Sequence, residues 1–437
     1  MPEIPYLTND TFGLSRDVPL NYVDREAVDG KLINELTRDK HLVVYASSKQ
    51  GKTCLRKACL KPDDYIVVQC SNRWALKDLH SAILKEAGFQ IAQSETRTVS
   101  GSNKVLASAG VRVFGIGADA GGELEEAEGT ATTKTPLELD IEDVNDVIRA
   151  LESIDFKKYI VLEDFHYLSS DTQNDFAVAL KAFHESSKFC FIVVGVWLEE
   201  NRLIVYNGDL TGRVMAIDAD RWSADELREV MSKGAGLLNI GFSEDFTLQL
   251  IESSEFNVYI VQEACRLACE RSGVLKTQEE YREIGDGLDA RALAKEIVDQ
   301  QSGRYMSFVI QFSGGFQDTE LEMYKWLLYP VLTADIDALR SGLGYRSLRE
   351  TIEGKHPRGS DLNPGNITQA LLYAASLQVK KNIKPIILDY DQSNLRLNVV
   401  DRGFLIWLKH QDRNELLEAA GLPRDQANEQ LNLTDAS

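Results

Sequence analysis

The sequence predicts an α/β protein: a parallel sheet in the first half of the chain, an almost wholly helical second half, and a small module of helices and two strands near the end. Three observations point there. Short, nearly continuous apolar runs alternate with helical patterns, as expected of strands buried on both faces. A Ser/Gly-rich loop ending in Gly51-Lys52-Thr53 joins the first run to a helix. From Ser223 onward the apolar spacing becomes helical almost throughout.

The elements follow in order. A helix is expected around Arg25–Thr37, a strand at Leu42–Tyr45, and a helix from Lys52. The strand Tyr65–Gln69 and the amphipathic helix Leu76–Ala87 come next. Residues 93–137 change character: Gly, Ala, Ser and Thr dominate, and an acidic run follows, so a flexible insertion is expected within the first domain. Regular structure resumes with a helix at Val144–Ile154. The apolar strands Tyr159–Leu162 and Phe189–Val194 follow, with a helix over about Thr172–Ser186 between them and a last short strand at Val214–Ile217. Ser223-Ala-Asp-Glu226 has the capping-box pattern: a side-chain oxygen for the first free N–H groups, and a carboxylate three residues on to reach back. These patterns divide the chain into a core at 1–222, a helical lid at 223–275, a helical linker at 276–317, a winged-helix-like unit at 318–410 and a polar tail at 411–437. The winged-helix expectation rests on helices near Leu321–Leu328, Ser347–Glu353 and Ile367–Val379, followed by strands Ile386–Tyr390 and Leu395–Val400.

Composition excludes several classes. The chain has 437 residues, 43% of them apolar, enough to bury a large core. With 48 Lys+Arg against 68 Asp+Glu its formal net charge is −20, which argues against a generally basic protein that coats nucleic acid. No apolar run is long enough to span a membrane. The N-terminal stretch has neither the basic nor the apolar region of a secretory signal. The six cysteines lack CxxC spacing, so reduced thiols and a cytoplasmic setting are expected. Cys265 and Cys269 are four apart on one helix with no nearby histidine, which favours packing over metal binding.

The sharpest motif is Ala46-Ser47-Ser48-Lys49-Gln50-Gly51-Lys52-Thr53, followed by Cys54. It fits GxxxxGK[ST] except that Ala46 stands at the first glycine. A triphosphate needs inward backbone N–H groups, a helix N-terminus behind them and one mobile cation. Gly51 would let the backbone approach, Lys52 would reach the β- and γ-phosphates, and the Thr53 hydroxyl would hold Mg²⁺. The second half of the site is the Glu163-Asp164 pair that ends the strand from Tyr159. A carboxylate at the end of a buried strand needs a cationic partner, and Mg²⁺ beside the phosphates would supply one. Strand position puts Glu163 near the metal and Asp164 as the base that polarises water; the reverse assignment stays open.

At this point the chain resembles AAA+ and STAND ATPases, P-loop enzymes with an additional strand, and within them the branch of initiator-like ATPases and transposition helpers. The residues that carry the resemblance are Val43–Cys54, YIVLEDFHYL at 159–168, FIVVGVW at 191–197 and DLTGRV at 209–214, over roughly residues 20–275. The resemblance implies ATP with Mg²⁺ as ligands and ATP hydrolysis as the activity. It implies an arginine finger at Arg213 that would complete a neighbouring subunit's site, and hence self-association through the nucleotide site; a surface arginine is the alternative. A second sensor arginine is implied at Arg266, with a solvated helix face as the alternative. Gly195-Val196-Trp197 stands where the family has a polar sensor, and Asn201 is only a distant substitute, so slow hydrolysis is expected. Gln69 or Asn72 could restrain the catalytic acid. His166 is expected to pack.

Three functions compete on this reading. The first is a nucleotide-driven switch that controls a partner protein, including defence signalling in a bacterium. The second is an initiator- or transposition-type ATPase that binds DNA through residues 338–384, where eight Lys/Arg face three Asp/Glu. The third is a scaffold that binds nucleotide without catalysis.

Overall fold

The computed structural model describes residues 5–14, 17–89, 97–99, 102–108 and 136–425. Its centre is a sheet of five parallel strands: β1 (His41–Ala46), β2 (Tyr65–Gln69), β3 (Tyr159–Glu163), β4 (Phe191–Val196) and β5 (Val214–Asp218), in the order β2-β3-β4-β1-β5. This is the α/β P-loop arrangement. β1 and β4 are buried along their whole lengths, which explains their unbroken apolar sequences. In chain order Tyr65–Gln69 lies between the loop strand and the acid strand. In the sheet, however, β4 separates β1 from β3, and β2 pairs with the outer side of β3. Chain order alone does not reveal that exchange of neighbours.

Helices cover both faces. Phe176, Leu180 and Phe183 of the helix Ser170–Ser186 pack against Phe191 and Val193 of β4. Its N-terminus is fixed by Ser169, whose hydroxyl accepts the Thr172 N–H. The expected helix at Arg25–Thr37 is instead a π-helical turn, Glu26–Gly30, running into a helix at Lys31–Leu36. Of the segment 93–137, residues 97–99, 102–108 and 136–137 are described. Strands Arg97–Val99, Ser102–Ser108 and Pro136–Leu139 form a small antiparallel sheet, and the rest of the expected insertion lies outside the described residues.

After Ser223, whose capping box with Glu226 is formed, helices Ala224–Leu238, Glu244–Ser253 and Val258–Arg271 pack through Leu227, Met231, Leu250, Ile260 and Cys265. Cys265 and Cys269 are fully buried there as free thiols. The same apolar core continues without a break through Tyr305, Leu327 and Phe404 to Leu422.

Near the C-terminus, strands Leu343–Gly344, Leu388–Asp391 and Arg396–Val399 make a three-stranded antiparallel sheet with Arg396–Val399 in the middle. The expected single helix Ile367–Val379 is two, Pro364–Leu372 and Ala374–Lys380, divided at Tyr373. The tail is also more ordered than its polarity suggests. Arg413–Ala419 is a helix capped by Asp412, and Leu416 and Leu417 are buried.

Candidate functional site

Parallel strands place all their C-terminal ends on one edge, and the site forms there. Ala46 is the last residue of β1 and fully buried. It is absent from the residues with positive φ, so its backbone does not require glycine. The positive φ values of the loop fall instead on Lys49 (62°) and Gly51 (82°). A Cβ on Gly51 would meet nothing within 4 Å, so the glycine serves the left-handed backbone rather than space. Gly51 is also the N-cap of the helix Lys52–Cys59, whose first N–H groups therefore face the loop.

The Lys52 ammonium donates to the carbonyls of Ser47 (2.7 Å) and Ala46 (3.2 Å). Burial lowers its pKa to about 8, although Asp220, Glu163 and Asp164 pull the other way. Gln50 is buried, and neither end of its amide has a hydrogen-bond partner among the described residues. The loop thus holds a half-buried cation and an unsatisfied amide, both suited to phosphate oxygens. Thr53 is exposed, and Cys54 is half-buried with its thiol pKa raised by burial; both line the same cavity.

That cavity, about 390 Å³, is also lined by Lys52, Glu163 and Asp164, so the loop and the acid pair share one space. The two acids have different companions. Glu163 is buried, and its Oε1 accepts the Arg56 Nε–H at 2.9 Å, both side chains being only about one-tenth exposed. Burial raises the Glu163 pKa and Arg56 opposes that rise. Asp164 turns out of the strand at φ 56° and accepts a hydrogen bond from the Gln69 amide of β2. Burial raises its pKa, while Lys52 and Gln69 hold it down. Of the two residues proposed to restrain the acid, Gln69 is the one in contact with it.

His166 is buried between these groups. Its Nδ1 accepts the Val196 N–H, and burial drives its pKa well below 6.5, so the ring is neutral. Trp197, at the end of β4, is fully buried, and a Cβ on Gly195 would fall 1.5 Å from its ring. A polar sensor therefore has no place in that strand end. Asn201 is the N-cap of the short helix Arg202–Tyr206.

Two arginines lie elsewhere. Arg213 precedes β5, and His41↔Val214 pairing sets it at the opposite strand edge from the loop, about 16 Å away by strand length. It ion-pairs with Glu185 at 2.7 Å. Arg266 is not among the residues lining the cavity; Glu263 and Glu270 hold it at 3.0 and 2.6 Å. The helix Val258–Arg271 gives the cavity Val258, Tyr259 and Gln262 instead.

The residues missed by sequence reasoning lie around the loop. Ser47 N–H donates to Asp220 Oδ1 (2.7 Å), and Asp220 Oδ2 pairs with Arg402 Nη2 (2.7 Å). Ser48 N–H donates to the Val400 carbonyl (2.9 Å). Lys49 lies 4.0 Å over the Tyr259 ring and reaches Gln301. The only sequence signal for these was an acid just past the last core strand, at Asp220. Arg402 and Val400 are distant in sequence and gave none. The N-terminal lead-in is a further omission: Tyr22, Val23 and Arg25 line the cavity, with Arg25 4.0 Å over the Trp222 ring.

The cations of 338–384 are mostly engaged within the molecule. Arg340 pairs with Glu255, Arg346 with Glu350, Arg349 with Glu353 and Arg358 with Glu320. The helices Pro364–Leu372 and Ala374–Lys380 bury Ile367, Leu371 and Leu377.

No protein-family model and no curated protein matches the chain. Among similar structures, a Walker-type ATPase of Pyrococcus abyssi aligns at 15% identity over 91% of this chain and 99% of its own, with a TM-score of 0.49. The ORC2 protein of Aeropyrum pernix aligns at 14% identity over 94% of this chain and 93% of its own, with a TM-score of 0.41. Cdc6p from Pyrobaculum aerophilum aligns at 11% identity over 93% and 99%, with a TM-score of 0.38. No helix among the described residues is long and apolar enough to cross a membrane.

Proposed function

We propose that this chain is an ATP-driven switch of AAA+/STAND type that binds ATP with Mg²⁺, hydrolyses it slowly and controls a partner protein. The observation that carries the reading is the single cavity shared by Lys52, Thr53, Glu163 and Asp164. Lys52 and the N–H groups at the start of its helix would bind the phosphates. The donor set suits Mg²⁺, which takes a hydroxyl, one or two carboxylates and phosphate oxygens: Thr53 and Glu163 would hold it, and it would neutralise charge on the phosphates. Asp164, free of Arg56 and restrained only by Gln69, is the better base for an attacking water. The Trp197-filled strand end supports slow turnover.

Control of a partner rests on the C-terminal unit, which we read as a winged helix. It touches the loop directly through the Val400 carbonyl and indirectly through Arg402, which holds Asp220 against Ser47, so a change at the phosphates would act on residues that hold that unit in place. A neighbouring subunit's site would receive Arg213. Defence signalling in a bacterium is one setting for such a switch, and the cytoplasm is its expected place.

Phosphate release by the wild type and Lys52→Ala tests the first part. Equal background rates would leave a nucleotide-binding scaffold. Titration of a fluorescent duplex with and without ATP tests the DNA-binding alternative. ATP-dependent binding that weakens when Arg340, Arg346 and Arg349 are neutralised would favour it over a protein partner.

A further inference from the structure

A second concave site lies at the other edge of the sheet. It is a pocket of about 300 Å³ formed by the loops that enter β1, β3 and β4. Arg38, Lys40, Lys157, Lys158 and Lys188 line it, and Asp39 is the acid among the lining residues. The lining therefore carries a formal charge of 5 − 1 = +4, in a chain of net charge −20. Some of these cations have neighbours: Lys188 lies 3.5 Å from Asp39, Lys157 2.8 Å from Asp155, and Arg38 3.4 Å from Glu35. In each pair at least one side chain is largely exposed, where such pairs contribute little. Lys40 is half-buried, and neither it nor Lys158 has an ion-pair partner among the described residues. His41 also lines the pocket, but burial lowers its pKa to about 4, so it adds no charge.

Helices Lys31–Leu36, Val144–Ser153 and Ser170–Ser186 end at this edge. Their C-termini add about half a negative charge each, which together with Glu35 and Asp155 offsets most of the lining's charge but leaves Lys40 and Lys158 without a paired acid among the described residues. Cations converging from three loops on one concavity repel one another, and a polyvalent anion relieves that repulsion. The cations sit on three separate loops, which suits an anion with several charged groups rather than one.

We infer that this pocket binds an oligophosphate chain, as a site separate from the nucleotide loop. Both sites could take phosphate, so the test is run in a Lys52→Ala background. Tripolyphosphate is titrated calorimetrically into full-length Lys52→Ala and into the same chain carrying Lys40→Glu and Lys158→Glu. Binding to the first is expected, weakening with added salt, with a loss of about tenfold or more in the second. In a chain with Lys52 intact, Lys40→Glu/Lys158→Glu is expected to keep its ATP hydrolysis rate and its circular dichroism. Lys40→Gln/Lys158→Gln should give an intermediate loss, which guards against misfolding of the charge-reversed variant. Equal affinity in the presence and absence of the two lysines overturns the inference. So does an absence of tripolyphosphate binding, whether or not a DNA duplex binds; the cations would then serve the helix ends alone.

Discussion

Arg402→Met is the most telling single change outside the phosphate loop itself. Arg402 and Asp220 are 17% and 6% exposed at the side chain and meet at 2.7 Å, while the other Asp220 oxygen accepts the Ser47 N–H. Breaking such a buried pair from one side costs about 3–5 kcal/mol, because a carboxylate is left without its counter-charge. The pH dependence gives the sharper test. In the wild type Asp220 has a lowered pKa: burial is the largest influence and raises it, but Arg402 and the Ser47 hydrogen bonds together outweigh burial. A carboxylate with a folded pKa below its unfolded value contributes stability above the unfolded pKa and loses it as pH falls through the folded one. Without Arg402, burial prevails and the Asp220 pKa rises above its ordinary value. The sign then reverses, and the contribution of Asp220 improves as pH falls. Urea unfolding of the wild type and Arg402→Met at neutral pH and near pH 5 measures both effects. The gap should be several kcal/mol at neutral pH and narrow on acidification. A gap under about 1 kcal/mol, or one that widens on acidification, would refute the reasoning.

Other outcomes follow from the same geometry. Lys52→Ala should lower phosphate release by about a hundredfold or more, measured with a phosphate sensor. Because burial holds the Lys52 pKa near 8, triphosphate oxygens should restore its charge. ATP binding at pH 8 should then take up protons, seen as a binding enthalpy that varies with buffer ionisation heat; no variation would argue against Lys52 as the phosphate contact. Asp164→Asn should keep ATP affinity within a few-fold and lose hydrolysis by about a hundredfold, whereas Arg56→Ala should chiefly destabilise, since it strands the buried Glu163. Gln69→Ala should raise the hydrolysis rate if its hydrogen bond restrains Asp164, as single-turnover kinetics would register.

The core was readable because its signals are local. β1 and β4 are buried on both faces, so their apolar runs had no competing explanation, and the Gly51-Lys52-Thr53 turn sits between a strand and a helix in the sequence itself. Ser223 and Glu226 likewise form their cap within one turn. What the sequence left out lies partly in partners remote in the chain and partly in breaks that the apolar pattern does not mark. The Glu163–Arg56 pair joins residues 107 apart, and nothing in the sequence distinguishes Arg56 from any other helical arginine. Tyr373 interrupts a helix whose apolar periodicity continues across the break, so pattern alone merged two helices. The tail after His410 looked polar because its burial rests on a few residues, Leu416, Leu417 and Leu422, which pack onto helices the pattern had only partly located. The charge count over 338–384 exceeds the unpaired charge for a related reason: Glu255 and Glu320, which pair with Arg340 and Arg358, lie outside the window.

The contacts around the loop also suggest how chemistry at the phosphates reaches the C-terminal unit. Two successive loop N–H groups, Ser47 and Ser48, are held by Asp220 and by Val400, and Arg402 binds Asp220 from the same side as Val400. Asp401, between them, caps the helix Arg402–Lys409 and pairs with Arg304, so this stretch is fixed from both flanks. Lys49 and Lys52 leave the same loop in different directions, one to Tyr259 of the helix Val258–Arg271 and one to the loop's own carbonyls. A triphosphate that draws Lys52 forward would relieve the Ser47 carbonyl, which belongs to the same peptide group as the Ser48 N–H that Val400 holds. A connection from the proposed phosphate site to the C-terminal unit therefore runs backbone to backbone, through Ser48 and Val400. Substituting Val400 by another aliphatic residue would leave it intact, whereas removing Arg402 would weaken its anchor.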